Sequence, residues 1–166
     1  MKYLYLLFFL CTVTYNSFGQ CNRMSDSLAL VELYDSTGGA NWTYTATAYW
    51  NGTSSVPIPN AGTAWNFNQP IDTWHGVQLN SSGCVEVLLL QSNNLSGSLI
   101  DIDLPNLFFL LLYGNQLSGS IPDFTNLSNL TELNLSSNQL SGSIPDFSNI
   151  PDLVYLSLNS NQLSGN

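Results

Sequence analysis

Basic residues are almost absent from this chain. Its 166 residues include two Lys and Arg together, against eleven Asp and Glu, for a formal net charge of −9 at pH 7. Nucleic acids and anionic membranes are held by cationic side chains, so neither is an expected partner. Histidine occurs once, at His75, and a Ser-His-Asp set would have to be built on that single ring. Phosphate-binding loops, zinc-type spacings and EF-hand patterns are missing, and no cofactor or metal is expected. Asp101 and Asp103 are neighbours, but no pocket for paired-carboxylate chemistry is visible around them. Asp123 and Asp146 each follow Ile-Pro and are expected to make local turn hydrogen bonds. No catalytic residue is assigned, and the chain is not read as an enzyme. Long apolar runs are lacking too: Leu104 to Tyr113 is apolar but too short to span a bilayer.

Cysteine is scarce, and its placement follows from the N-terminus. Residues 1–19 read as a secretory signal peptide. Lys2 supplies the positive end, Leu4 to Val13 a short apolar core, and Ser17-Phe-Gly19 the small residues at the cut. Gln20 stands where a lipid-anchoring signal needs Gly, Ala or Ser, which argues against an acylated Cys21. The mature chain then keeps Arg23 as its one cation against eleven carboxylates, net −10, and two cysteines, Cys21 and Cys84. Export implies an oxidising compartment, and an even count there implies a Cys21–Cys84 disulfide. Closing so long a loop would add ~2–4 kcal/mol. Free thiols, or an intermolecular bond through Cys21, are the alternatives.

What is abundant is repetition. Val85-Glu-Val-Leu-Leu-Leu-Gln-Ser-Asn93, Leu107 to Asn115, Leu130 to Asn138 and Leu153 to Asn161 all fit L-x-x-L-x-L-x-x-N, each followed by x-L-S-G. The asparagines at 93, 115, 138 and 161 are spaced by 22, 23 and 23 residues. A fixed period in this range marks a solenoid. Leu-x-Leu places two side chains on one face of a short strand. One coil cannot bury that face alone, so stacked coils bury it against each other. The recurrent Asn turns the chain out of the strand and can bond the backbone groups left unpaired there. The Gly of L-S-G (97, 119, 142 and 165) permits a positive-φ backbone.

With Ile121-Pro and Ile144-Pro after L-S-G-S, the repeat reads L-x-x-L-x-L-x-x-N-x-L-S-G-S-I-P. It resembles the plant-type class of leucine-rich repeats, found in plant receptor-like proteins and in secreted bacterial proteins. The first repeat departs from it, with Leu99-Ile100-Asp101 in place of Ile-Pro-Asp. The segment from 20 to 84 resembles the N-terminal cap of such proteins, and Asp26 to Tyr34 resembles the start of bacterial secreted members. Ser25 or Asp26 can N-cap a helix carrying Leu28, Val31 and Leu33, ended by Gly38-Gly39. All four Trp lie in the cap, as core or, alternatively, as sugar-stacking platforms. Residues 51–73 form a Gly/Ser/Thr/Asn/Pro loop without periodicity.

The resemblance implies an α/β-type solenoid: a leucine-rich repeat horseshoe fragment with a parallel concave sheet and a helical N-terminal cap. The expected organisation is 1–19 signal peptide, 20–84 cap with loop insertion 51–73, and 85–166 four repeats, the last incomplete. The sequence stops before the fourth repeat returns, so further repeats or a C-terminal anchor are expected in a longer protein. Residues alternating with the buried leucines point outward on the concave face. They are Val87, Leu89, Gln91, Phe109, Leu111, Tyr113, Glu132, Asn134, Ser136, Tyr155, Ser157 and Asn159. An exposed patch of Val87, Leu89, Phe109, Leu111 and Tyr113 is either a ligand surface or the seat of loop 51–73. The expected role is non-catalytic binding of a protein or peptide through this face, outside the cell or at its surface. The alternatives are a glycan-binding adhesion module and the sensing ectodomain of a receptor-like protein.

Overall fold

The computed structural model describes residues 23–50 and 53–165. Helix α1 (Arg23–Ser36) opens the chain and buries Ala29, Leu30 and Leu33. Ser25 and Asp26 lie inside its first turn and do not precede it. The Asp26 carboxylate has another task. It is buried and accepts the backbone N–H of Val85 at 2.8 Å, tying the cap to the first repeat. Burial pushes that carboxyl above the usual range, and the Val85 N–H pulls it partly back. Gly38, at φ 67°, ends the helix in the left-handed conformation that glycine adopts without strain.

Two 3₁₀ turns (Gly39–Asn41 and Ile71–Thr73) frame the β1–β2 hairpin (Ala48–Trp50 and Ser55–Pro57) and the loop after it. The tryptophans Trp42, Trp65 and Trp74 are core. Their indole N–H groups donate to the carbonyls of Thr37, His75 and Asn66, and their rings pack together with Tyr34. The sugar-stacking alternative therefore has no platform in these three rings.

Strand β3 (Val77–Leu79) pairs antiparallel with β4 (Val85–Leu89). Thereafter every coil adds one strand to each of two sheets. The coil strands are β5 (Ser96–Ser98), β6 (Phe109–Leu111), β7 (Gln116–Gly119), β8 (Glu132–Asn134), β9 (Gln139–Gly142), β10 (Tyr155–Ser157) and β11 (Gln162–Leu163). The first sheet runs β3-β4-β6-β8-β10, parallel from β4 onward, and forms the expected concave face. The second runs β5-β7-β9-β11 and is built from the x-L-S-G segments. Leucines 88, 110, 133 and 90, 112, 135 stack fully buried between the coils. In the last coil Leu156 is exposed and Leu153, Leu158 and Leu163 are half-buried.

The turn asparagines join coil to coil. Asn138 Nδ2 donates to the Leu135 carbonyl in its own coil and to the Leu112 carbonyl in the coil before, both at 3.0 Å. Its Oδ1 accepts the Leu117 N–H at 3.0 Å. Asn115 and Asn161 repeat the arrangement. The residue before each turn Asn is left-handed: Ser92 (φ 53°), Gly114 (69°), Ser137 (54°) and Ser160 (57°). Asn93 faces the cap where its homologues face a coil, and its buried amide finds no partner among the described residues.

This difference yields a test. A neutral hydrogen bond contributes about 1 kcal/mol net, and buried groups left unpaired cost more. Asn138→Leu should therefore lose ~3 kcal/mol or more in denaturant unfolding, while Asn93→Leu should stay within ~1 kcal/mol of wild type. Equal losses at the two positions would show that the cross-coil bonds do not set the cost.

Candidate functional site

The outward side chains of the first sheet form three rows across the strands. Val87, Phe109, Glu132 and Tyr155 are in register, as are Leu89, Leu111, Asn134 and Ser157. Gln91, Tyr113, Ser136 and Asn159 continue at the strand ends, where Ser92, Gly114 and Ser137 donate their N–H groups to Tyr113, Ser136 and Asn159. The strand register thus sets the first two rows side by side across the sheet.

Their accessibility is another matter. Val87, Leu89 and Leu111 are buried in a second hydrophobic cluster with Ile58, itself 4% exposed. Ala46, Tyr49, Phe109 and Tyr113 pack around it. The β1–β2 hairpin delivers Ile58: its N–H donates to Thr47, and the next carbonyl, Pro59, accepts Gly76 N–H at 2.8 Å. Gly76 is φ 75°, and a Cβ there would lie 2.0 Å from the Leu89 carbonyl oxygen, so only glycine allows this approach. Of the two readings of the apolar patch, the structure corrects the open ligand surface at Val87, Leu89 and Leu111. These residues seat Ile58, which lies within the 51–73 stretch. Gln91 is buried as well, and both its amide atoms lack a partner among the described residues.

The open part of the face belongs to β8 and β10, with Phe109 and Tyr113 half-buried at its border. Ser136 donates through its N–H and Oγ to Asn134 Oδ1, at 3.1 and 2.7 Å. Ser157 Oγ donates to Asn159 Oδ1 at 2.8 Å. Burial pushes the Glu132 carboxyl above its ordinary value. Burial, and then the Glu132 charge, raise the Tyr113 hydroxyl.

His75 lies away from this face in function. It is fully buried, with Nδ1 accepting the Gly62 N–H at 3.2 Å and its ring against Tyr44. Burial holds it below the ordinary imidazole range, so it is a neutral packing residue. Asp146 makes the expected turn bond, accepting the Ser148 N–H. Asp101 accepts the N–H and Oγ of Thr125 in the next coil. Cys84 is buried and is not a free thiol; Cys21 lies outside the described residues.

Residues 128–166 match the family model of leucine rich repeats (2 copies). The fold is a leucine-rich repeat solenoid. None of the curated proteins matches the chain in sequence. Among solved structures, the solenoid is similar to the ectodomain of the Arabidopsis receptor kinase HAESA, in complex with an N-terminally extended IDA peptide hormone. That likeness has a TM-score of 0.64 and 26% identity, over 84% of this chain and 21% of the other. It is similar also to a chain of the BIR3–SERK2 complex from Arabidopsis thaliana, with a TM-score of 0.63 and 28% identity, over 83% and 70% of the two chains. The PEPR1–AtPEP1 structure gives 0.63 and 28%, over 85% of this chain and 18% of that one. The leucine-rich repeat chain therefore spans only 18% and 21% of the PEPR1 and HAESA chains.

Burial under Ile58 makes a sharp expectation. Leu111→Asp would bury a carboxylate among Ile58, Val87 and Leu89, which costs several kcal/mol or forces the hairpin off. Its melting temperature should fall far below wild type, while Ser157→Asp on the open half should melt nearly as wild type does. A Leu111→Asp protein with unchanged melting would mean that the hairpin is not seated.

Proposed function

We propose that this leucine-rich repeat module is a non-catalytic extracellular binding unit that engages a protein or peptide on the open half of its first sheet. The surface is formed by Glu132, Asn134, Ser136, Tyr155, Ser157 and Asn159, bordered by Phe109 and Tyr113. One observation carries the reading: the hairpin covers the apolar half of the sheet and leaves the β8–β10 half, rich in amides and hydroxyls, facing outward. The similar structures support it: one is a receptor kinase ectodomain in complex with a peptide hormone, and another is the BIR3–SERK2 complex. An open row of hydrogen-bonding side chains suits an extended peptide, whose backbone groups need partners. Buried, neutral His75 cannot serve an accessible acid–base site, which fits a binding role. The signal-peptide reading of residues 1–19 supports a place outside the cell or at its surface.

Selection of a random peptide library displayed on phage against the chain tests this. Selected peptides should lose binding to Ser157→Trp, which fills the open sheet, and keep it on Asn126→Trp, on the exposed convex side. Binders indifferent to Ser157→Trp and lost on Asn126→Trp would place recognition elsewhere.

The same reading includes a Cys21–Cys84 disulfide that ties the N-terminus to the first repeat. Cys84 is buried at the start of β4, beside the Asp26–Val85 bond, and is not a free thiol. Intact mass after alkylation without reductant should show neither cysteine modified. Labelling of Cys21 in a monomeric protein would refute the pairing.

A further inference from the structure

From residue 24 onward the chain contains eleven carboxylates and no Lys or Arg. Within this stretch the open sheet therefore has no basic side chain to pair with its carboxylates. Most of the acids are exposed and fully hydrated, but Glu132 is different. It sits mid-sheet on β8, directly between Phe109 on β6 and Tyr155 on β10. It is half-buried, and its carboxylate has no hydrogen bond or ion pair among the described residues. A partly desolvated carboxylate with no donor from its own protein gains from a cationic partner that supplies one.

The next row toward the strand starts extends the same character. Phe108 N–H donates to Glu86 O at 2.7 Å, Thr131 N–H to Phe108 O at 3.0 Å, and Val154 N–H to Thr131 O at 2.9 Å. Glu86, Phe108, Thr131 and Val154 thus lie side by side. Phe108 is exposed, and its ring meets Phe109 edge-on at 5.1 Å. The result is an open strip on which the partly buried Glu132 carboxylate stands in register between Phe109 and Tyr155, with the exposed Phe108 ring against Phe109.

We propose that this strip recognises a basic peptide segment through an arginine side chain seated on Glu132. The inference rests on the binding role assigned above to the open half of the sheet. A guanidinium satisfies both features together: its donor fork matches a carboxylate, and its flat face stacks on aromatic rings. An ammonium would use the charge but not the planes. The strip is open along the sheet and encloses no small molecule, so it suits a side chain presented by an extended backbone. A metal ion would need more oxygen ligands than one carboxylate, and no group of three metal-binding side chains occurs among the described residues.

The test uses the chain on a sensor surface and two pools of short synthetic peptides. The pools share randomised neutral flanks and differ at one central position, arginine in one and citrulline in the other. Citrulline keeps the shape and loses the charge. The arginine pool should bind at least about tenfold more tightly. Glu132→Gln, which is isosteric, should erase that preference, and Tyr155→Ala, at an exposed position, should reduce it. Asp123→Asn, which removes one charge from the exposed convex side, should leave it intact. Equal retention of both pools, retention of neither, or a preference that survives Glu132→Gln overturns the proposal. If both pools bind equally and both are lost on Ser157→Trp, only the arginine assignment falls. If binding survives Ser157→Trp, the open sheet is not the binding surface at all.

Discussion

Each coil of this protein is held to the next by a side-chain amide that serves two coils at once. The turn Asn donates to a carbonyl of its own coil and to one in the coil before, and accepts an N–H from that earlier coil. Those backbone groups are buried, and no strand pairing reaches them where the chain leaves the sheet. An aspartate could accept but not donate, and a leucine could do neither. Asparagine is the short side chain that closes both kinds of bond, so its recurrence follows from the turn and needs no functional explanation. The turn also requires a left-handed residue just before it, and three of the four are serines. The amide bonds offset the strain that those serines carry.

The limit of that device is the first coil. Asn93 has no preceding coil, its amide has no partner among the described residues, and other contacts join cap to solenoid. Asp26 accepting from Val85 is one of them, Gly76 against Leu89 another, and Ile58 on Val87, Leu89 and Leu111 a third. Apolar burial by Ile58 replaces at the cap what hydrogen bonding does between coils.

The repeat was legible because it is periodic and local: four leucine patterns at constant spacing placed β4, β6, β8 and β10 and the direction of every side chain on them. The second sheet was not, since β5, β7, β9 and β11 are strands of two to four residues whose identity rests on lateral pairing. Alternation gives direction and says nothing of what lies above. Val87, Leu89 and Leu111 point outward as read, yet the segment that buries them is an aperiodic hairpin far away in sequence. Asp26 looked like a helix cap, because its acceptor role depends on Val85, 59 residues later. Glu132 was visible as one acid on the face. Its setting between Phe109 and Tyr155 required the register.

The cap and the solenoid together decide where the sheet is open. Repeats one and two carry apolar outward residues and receive Ile58; repeats three and four carry Glu, Asn, Ser and Tyr and receive no such cover from the described residues. The hairpin's reach ends at Leu111 on β6, and the change from apolar to polar falls at the next strand, where Asn134 stands in register with Leu111. Composition and coverage therefore agree strand by strand. Had the polar residues been under the hairpin, their amides would be unpaired, as Gln91 is at its margin. Had the apolar ones been open, they would form an adhesive patch. The chain fills its own apolar half from within. The half left for another molecule is the one whose side chains can bond a peptide backbone, with the partly desolvated Glu132 carboxylate at its centre.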